Sequence, residues 1–232
     1  CKALGRGVVG FREDVWAARR FDVVTLGNYL KFSQNAELRA FLVATAPRVL
    51  VEAAPRDCVW GVGLGMGDPA LHDPAAWRGL NLLGFALGRV RDVIAGVAAP
   101  PDFDATTAPH LAPTAPHLST RMRCAMATSP WCREVLTERI RAGEAFKMLP
   151  FYSEMAPSGD VTAACFSQFY RAPFRDAHGQ VYFCAEQFMM ASKARVFGDA
   201  DSLASILTAT APADCKALGR GVVGFREDVW AA

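Results

Sequence analysis

Apolar residues recur at helical spacing over much of the chain. The string FREDVWAARRF, from Phe11 to Phe21, is amphipathic and helix-compatible, and TLGNYLKFSQ follows it. In AELRAFLVATA, Leu38, Phe41 and Leu42 fall on one face, with Asn35 as the expected N-cap and Pro47 as the stop. Leu83, Leu87, Val90 and Ile94 recur at spacings of four, three and four, which predicts a helix from about Asn81. Val49, Leu50 and Val51 form a short β-like run. Ser129 and Pro130 stand in the order of an N-cap and a first-turn proline and predict a helix through WCREVLTERIRAGEAF. From Leu149 to Phe183 the apolar runs FYSEM, ACFSQFY, RAPF and VYF are short and aromatic, with Pro157, Gly159, Pro173 and Gly179 between them. That pattern predicts a small β-meander. Two more helices are expected, from about Ala185 to Phe197 and over SLASILTAT. The sum is an α+β fold, predominantly helical, with a small antiparallel sheet.

The two ends carry the same segment: CKALGRGVVGFREDVWAA fills residues 1–18 and returns unchanged at 215–232. Structural repeats share a pattern rather than every residue, so these copies are recent. If the chain is closed on itself, Asp214 leads into the repeat and the repeat leads into Arg19. The order therefore reads as permuted, with a single domain that starts near 149, runs to 232 and continues through 19 to about 97. A genuine duplication and a reading frame followed past the origin of a circular template both fit. On this division residues 1–97 and 149–232 are the C-terminal and N-terminal halves of the domain. Residues 98–120, with five prolines, are a flexible linker, and 121–148 a helical extension. One domain has room for one copy of the repeat. Either one copy packs and the other exposes its phenylalanine and tryptophan, or copies exchange between chains, so self-association through this segment is expected.

A chain of 232 residues, 52% hydrophobic and 21% charged, suffices for one substantial core. The net charge of +2 is too small to imply a nucleic-acid coat or a membrane surface, so phosphate binding must be local. No run approaches the roughly 18 to 20 apolar residues of a membrane span, and the opening CKALGRGVVGFRED is unlike a signal peptide. A soluble, cytoplasmic protein is expected. The seven cysteines include no C-x-x-C pair, which favours reduced thiols, and four histidines argue against a multi-histidine metal site.

Glu186 and Lys193 lie seven apart in AEQFMMASKA, so a helix projects both from one face about two turns apart. They suit either a proton-transfer carboxylate beside a phosphate-binding or carbonyl-attacking amine, or a solvated helix face. Trp60 precedes Gly61 in DCVWGVGLG, where a flat ring can stack on a base or belong to the core. The glycines there have neither dinucleotide-fingerprint nor Walker spacing. Asn81 in RGLNLLG fits a helix cap or a residue that orients a ligand hydroxyl. Arg6 and its twin Arg220, each in ALGRG, fit a phosphate grip or an exposed cation.

Read in permuted order, FYSEM, CFSQFYRAPF, AEQFMMASKA, ALGRG and then KFSQN, LVEA, D-x-x-WG-x-G and G-x-N-x-LG closely resemble the NADAR family, also called YbiA-like N-glycosidases. The resemblance covers about 149–232 plus 19–97. It implies a mostly helical domain that cleaves a ribosyl N-glycosidic bond without metal or cofactor. Two substrates are implied: phosphoribosylamino-pyrimidine intermediates of riboflavin biosynthesis, and ADP-ribosylated guanine, free or on DNA. It further implies Glu186 and Lys193 as catalytic residues. Trp60, Gly61, Asn81, Phe166, Ser167 and Arg220 or Arg6 are implied to bind substrate. Gln168, Gln187 and the pair Phe183-Cys184 depart from the family pattern and bear on substrate choice. A non-catalytic module that binds ADP-ribose or a nucleotide is the alternative.

Overall fold

The computed structural model describes residues 13–98, 132–155 and 160–221. The element order is α1 (Glu13–Gln34), α2 (Ala36–Val43), β1 (Val49–Glu52), α3 (Leu82–Ile94), α4 (Arg133–Arg141), β2 (Met148–Phe151), β3 (Phe174–Arg175), β4 (Val181–Tyr182), α5 (Ala185–Val196), α6 (Ala200–Thr208) and α7 (Pro212–Gly221). Short 3-10 turns cover Pro69–His72, Pro74–Ala76 and Ala163–Phe166. The fold is α+β and predominantly helical, as expected. Among the described residues no helix is long and apolar enough to cross a membrane.

Helix α1 is the axis of the core, packed against α3 on one side and α5 on another. From Phe21 to Phe32 it is enclosed nearly all round, with Phe21, Val23, Val24, Leu26 and Phe32 buried alongside Thr25, Asn28 and Lys31. The donors of that polar run are satisfied, while Asn28 Oδ1 has no partner among the described residues. Thr25 Oγ1 donates to the Phe21 carbonyl at 2.7 Å, and Asn28 Nδ2 donates to the Val24 carbonyl at 2.8 Å and to Gln168 Oε1 at 3.2 Å. Asn35 stands between α1 and α2 as expected, but its side chain makes no cap bond; it donates instead to the carbonyls of Lys31 and Pro173.

The sheet expectation needs correction. No meander forms between 149 and 183 among the described residues. Residues 148–151 pair in parallel with β1, Val49 opposite Met148 and Glu52 opposite Phe151, and thereby join the two halves of the chain. The antiparallel part is a two-residue ladder, β3 against β4, and ACFSQFY supplies a 3-10 turn rather than a strand. Phe166 from that turn is fully buried against Phe151, Phe41 and Phe32, with ring centroids 5.4, 5.6 and 6.2 Å away. Its aromatic character serves packing rather than strand pairing.

Ser129 and Pro130 lie outside the described residues, and the helix they were expected to open begins at Arg133 behind Cys132, whose Sγ accepts from Val135 N. That helix docks on the loop after β1: Leu136 is buried, and Arg133 donates to the carbonyls of Pro74 and Ala75. Most of the proline-rich linker also falls outside the described residues.

The duplicated segment enters the core in two pieces. Copy one supplies residues 13–18, including the fully buried Trp16, to the start of α1. Copy two supplies residues 215–221 to α7, with Cys215 buried and Gly219 so close to α5 that a Cβ there would stand 1.9 Å from Met190 Sδ. Among the described residues, the back of one copy and the front of the other thus join the fold. The remaining repeat positions lie outside the described residues.

Candidate active site

Strand β1 ends on Glu52, which is clamped from behind. Asn81 is fully buried just before α3 in left-handed backbone geometry, φ 54° and ψ 35°, which asparagine tolerates better than most residues. Its Nδ2 donates to the Leu50 carbonyl at 2.9 Å and its Oδ1 accepts from Glu52 N at 3.0 Å. Gly84 makes room for this amide, since a Cβ at that position would stand 2.1 Å from Leu50 O and 2.6 Å from both amide atoms of Asn81.

Residues 79–83 then dock on residues 58–62 through their backbones. Leu80 N donates to Cys58 O, Asn81 N to Gly61 O, Leu82 N to Val59 O and Leu83 N to Trp60 O. Asp57 shapes the turn by accepting at Oδ1 from Val59 N (2.9 Å) and Trp60 N (2.7 Å), and so fixes the entry to the Trp60 ring. Gly61 is the point of contact with β1: a Cβ there would meet Ala54 Cβ at 2.8 Å and Glu52 O at 2.9 Å.

Opposite this assembly, Glu186 sits in the first turn of α5, where free helix N–H groups favour anions. Its own N–H donates to the Gln168 carbonyl at 2.9 Å. Lys193, two turns on and buried, donates from Nζ to the Gly219 carbonyl at 2.6 Å in the last turn of α7. A cation there answers the negative end of that helix. The loop carrying Ser167 and Gln168 is anchored by Lys31, whose Nζ donates to the carbonyls of Cys165 (2.6 Å) and Ser167 (3.0 Å). Burial pushes the Lys31 ammonium down to about 8.

These parts line a partly open pocket of about 70 Å³. Its polar walls are Glu52, Asp57, Glu186, Ser167, Gln168, Lys193 and Lys216. Trp60, Phe169, Leu83, Met189 and Met190 line the remainder. Lys216 Nζ lies 5.3 Å from the centroid of the Phe169 ring. Glu52 Oε2 and Gln168 Nε2 are enclosed without a hydrogen-bond partner among the described residues. Burial foremost, then the nearby Asp57 carboxylate, pushes the Glu52 carboxyl up to about 8; Lys216 pulls the other way and Glu186 adds to the rise. Among the described residues no group of three or more His, Cys, Asp or Glu is placed to hold a metal ion.

The structure brings Glu186, Lys193, Trp60 and Ser167 to one pocket. It does not bring Asn81, Gly61 or Phe166 there. The Asn81 amide is engaged by β1, so Asn81 neither caps α3 through its side chain nor reaches a ligand hydroxyl. Gly61 is a packing contact behind the Trp60 turn, and Phe166 belongs to the aromatic core. Arg6 lies outside the described residues. Arg220 follows Gly219 in α7, and its side chain is outside them too. Sequence reasoning missed Glu52, Asp57 and Lys216. A lone acid closing the apolar run VLV was the available signal for Glu52, since a buried strand rarely ends on an unpaired charge. The Gln187 amide faces away from the pocket, accepting from Phe183 N and donating to the carbonyls of Ile206 and Leu207.

The NADAR domain model matches residues 1–95 and 151–232. Over 91 residues the chain is 43% identical to N-glycosidase R617 of Acanthamoeba polyphaga mimivirus, covering 39% of this chain and 54% of that protein. It is 39% identical over 80 residues to N-glycosidase YbiA of Escherichia coli (strain K12), covering 34% and 43%. It is 37% identical over 90 residues to the chloroplastic riboflavin biosynthesis protein PYRR of Zea mays, covering 38% and 13%. The chain spans about half the length, or less, of these curated relatives. No solved structure matches it significantly. With the family model matched across both halves that β1 and β2 join, the chain belongs to the NADAR domain family.

Proposed function

We propose that this chain hydrolyses the bond between a ribosyl C1 and a nitrogen, in a nucleotide-like substrate. The observation that carries this reading is the meeting of buried Glu186 and Lys193 in one pocket walled by Trp60. Names borne by relatives, two N-glycosidases and a riboflavin biosynthesis protein, support it. Cleavage develops positive charge on the sugar and negative charge on the leaving nitrogen. Glu186 answers the first as a carboxylate and removes a proton from the attacking water. Trp60 and Phe169 offer flat faces to a base, and Lys193 with Lys216 offers positive charge to a phosphate.

Two substrate classes carry the bond this reading names, a phosphoribosylamino-pyrimidine and ADP-ribosylated guanine. Mass-spectrometric product analysis of the purified protein with each in parallel separates them. Release of ribose 5-phosphate identifies the first and release of free ADP-ribose the second. Tight binding of either without product, by folded protein, overturns the hydrolase reading in favour of a binding module.

A further inference from the structure

We propose that Glu52 is a second catalytic carboxyl of this pocket, the acid that protonates the departing nitrogen, while Glu186 acts as the base on water. The inference rests on the N-glycosidase reading and deepens it.

Four observations carry it. Glu52 and Glu186 line the same pocket from opposite elements, the end of β1 and the start of α5. Their settings differ in a way that separates their roles. Glu186 occupies the first turn of a helix, where an anion is favoured. Glu52 ends a strand, with Oε2 enclosed and given no hydrogen-bond partner among the described residues, beside the like charge of Asp57. Such a setting favours the neutral acid, in line with the upward shift of its carboxyl. Finally, Asn81 and Gly84 fix the backbone that leads into Glu52, at the Leu50 carbonyl and the Glu52 N–H, without touching the pocket, a clamp that accounts for the G-x-N-x-LG motif by what it positions.

The step balances. A water oxygen bonds to C1 as the C1–N bond breaks, Glu186 takes the water proton, and Glu52 gives its proton to the leaving nitrogen. Glu52 recovers a proton from Glu186 or from solvent. Besides these two carboxyls, Asp57, Lys193 and Lys216 face the pocket and set its field.

The test compares two N-ribosides in wild type and Glu52→Gln. A phosphoribosylamino-pyrimidine needs a proton on its leaving nitrogen. Nicotinamide mononucleotide does not, because its ring nitrogen is already cationic and departs neutral. Glu52→Gln should lose about 100-fold or more in kcat on the first and stay within about tenfold of wild type on the second, whereas Glu186→Gln loses both. Wild type alone gives an independent arm: the alkaline fall in kcat/KM seen with the pyrimidine should be absent with nicotinamide mononucleotide. Glu52→Gln inactive on both, or the same alkaline fall with both, overturns the assignment while hydrolysis by wild type upholds the parent reading. Wild type that cleaves neither of these nor ADP-ribosylated guanine overturns both.

Discussion

At the scale of single residues, two buried charges give the protein opposed responses to pH. Glu52 titrates near 4.5 when unfolded and about 8 in the fold. Between those values the folded state holds the extra proton, so stability falls as pH rises through the window. The contribution is fully present below about 4.5 and gone above about 8. Lys31 runs the other way. Its ordinary value of 10.5 drops to about 8, the unfolded state holds the extra proton between them, and stability rises with pH over that range. Glu52→Gln should therefore gain stability relative to wild type as pH goes from about 4.5 to 8, at up to about 1.4 kcal/mol per pH unit. Urea midpoints measured across the window check this, and a constant difference would contradict it. Helical periodicity places Glu186 and Lys193 on one face, but spacing left a solvated face open and the family resemblance singled them out. Glu52 was not legible, because its significance lies in a neighbour 134 positions away, Glu186, and in a clamp from Asn81, 29 positions away.

At the scale of elements, the segment around Asn81 decides where β1 ends. Asn81→Ala leaves the Leu50 carbonyl and the Glu52 N–H without partners and should destabilise by roughly 2 to 4 kcal/mol, from two buried groups at about 1 to 3 each. Hydrolysis should fall more than binding, since Glu52 loses its position while Trp60 and Lys216 do not. Urea unfolding read with the kcat and KM of the variant tests both halves of that expectation. Helix α3 was legible because Leu83, Leu87, Val90 and Ile94 keep helical spacing, although residues 82–88 are all buried and less buried positions come only at 89 and 92–94. Helix α1 is enclosed on several sides, so its apolar and small polar residues carry no single stripe, and its length was read as fragments. The strands misled for a different reason. Phe151, Phe166 and Phe174 share the aromatic spacing of a meander, but their rings pack with one another or on α5, and backbone pairing follows only for the first and last.

At the scale of the whole molecule, the parallel pairing of β1 with β2 makes one core from segments that are far apart in sequence, and each duplicated end supplies residues to a helix of that core. Trp16 fills a fully buried site, so Trp16→Ala should cost about 3 to 5 kcal/mol. Urea unfolding of the variant checks this, and an unchanged midpoint would contradict the burial of Trp16. The central claim, that this pocket breaks a ribosyl C–N bond, is tested most directly by product release from an accepted N-riboside with wild type and Glu186→Gln side by side. Matched urea midpoints would establish that both are folded. Free product from wild type, reduced by about 100- to 10,000-fold in the variant, is the result predicted. Equal rates in the two proteins would contradict it.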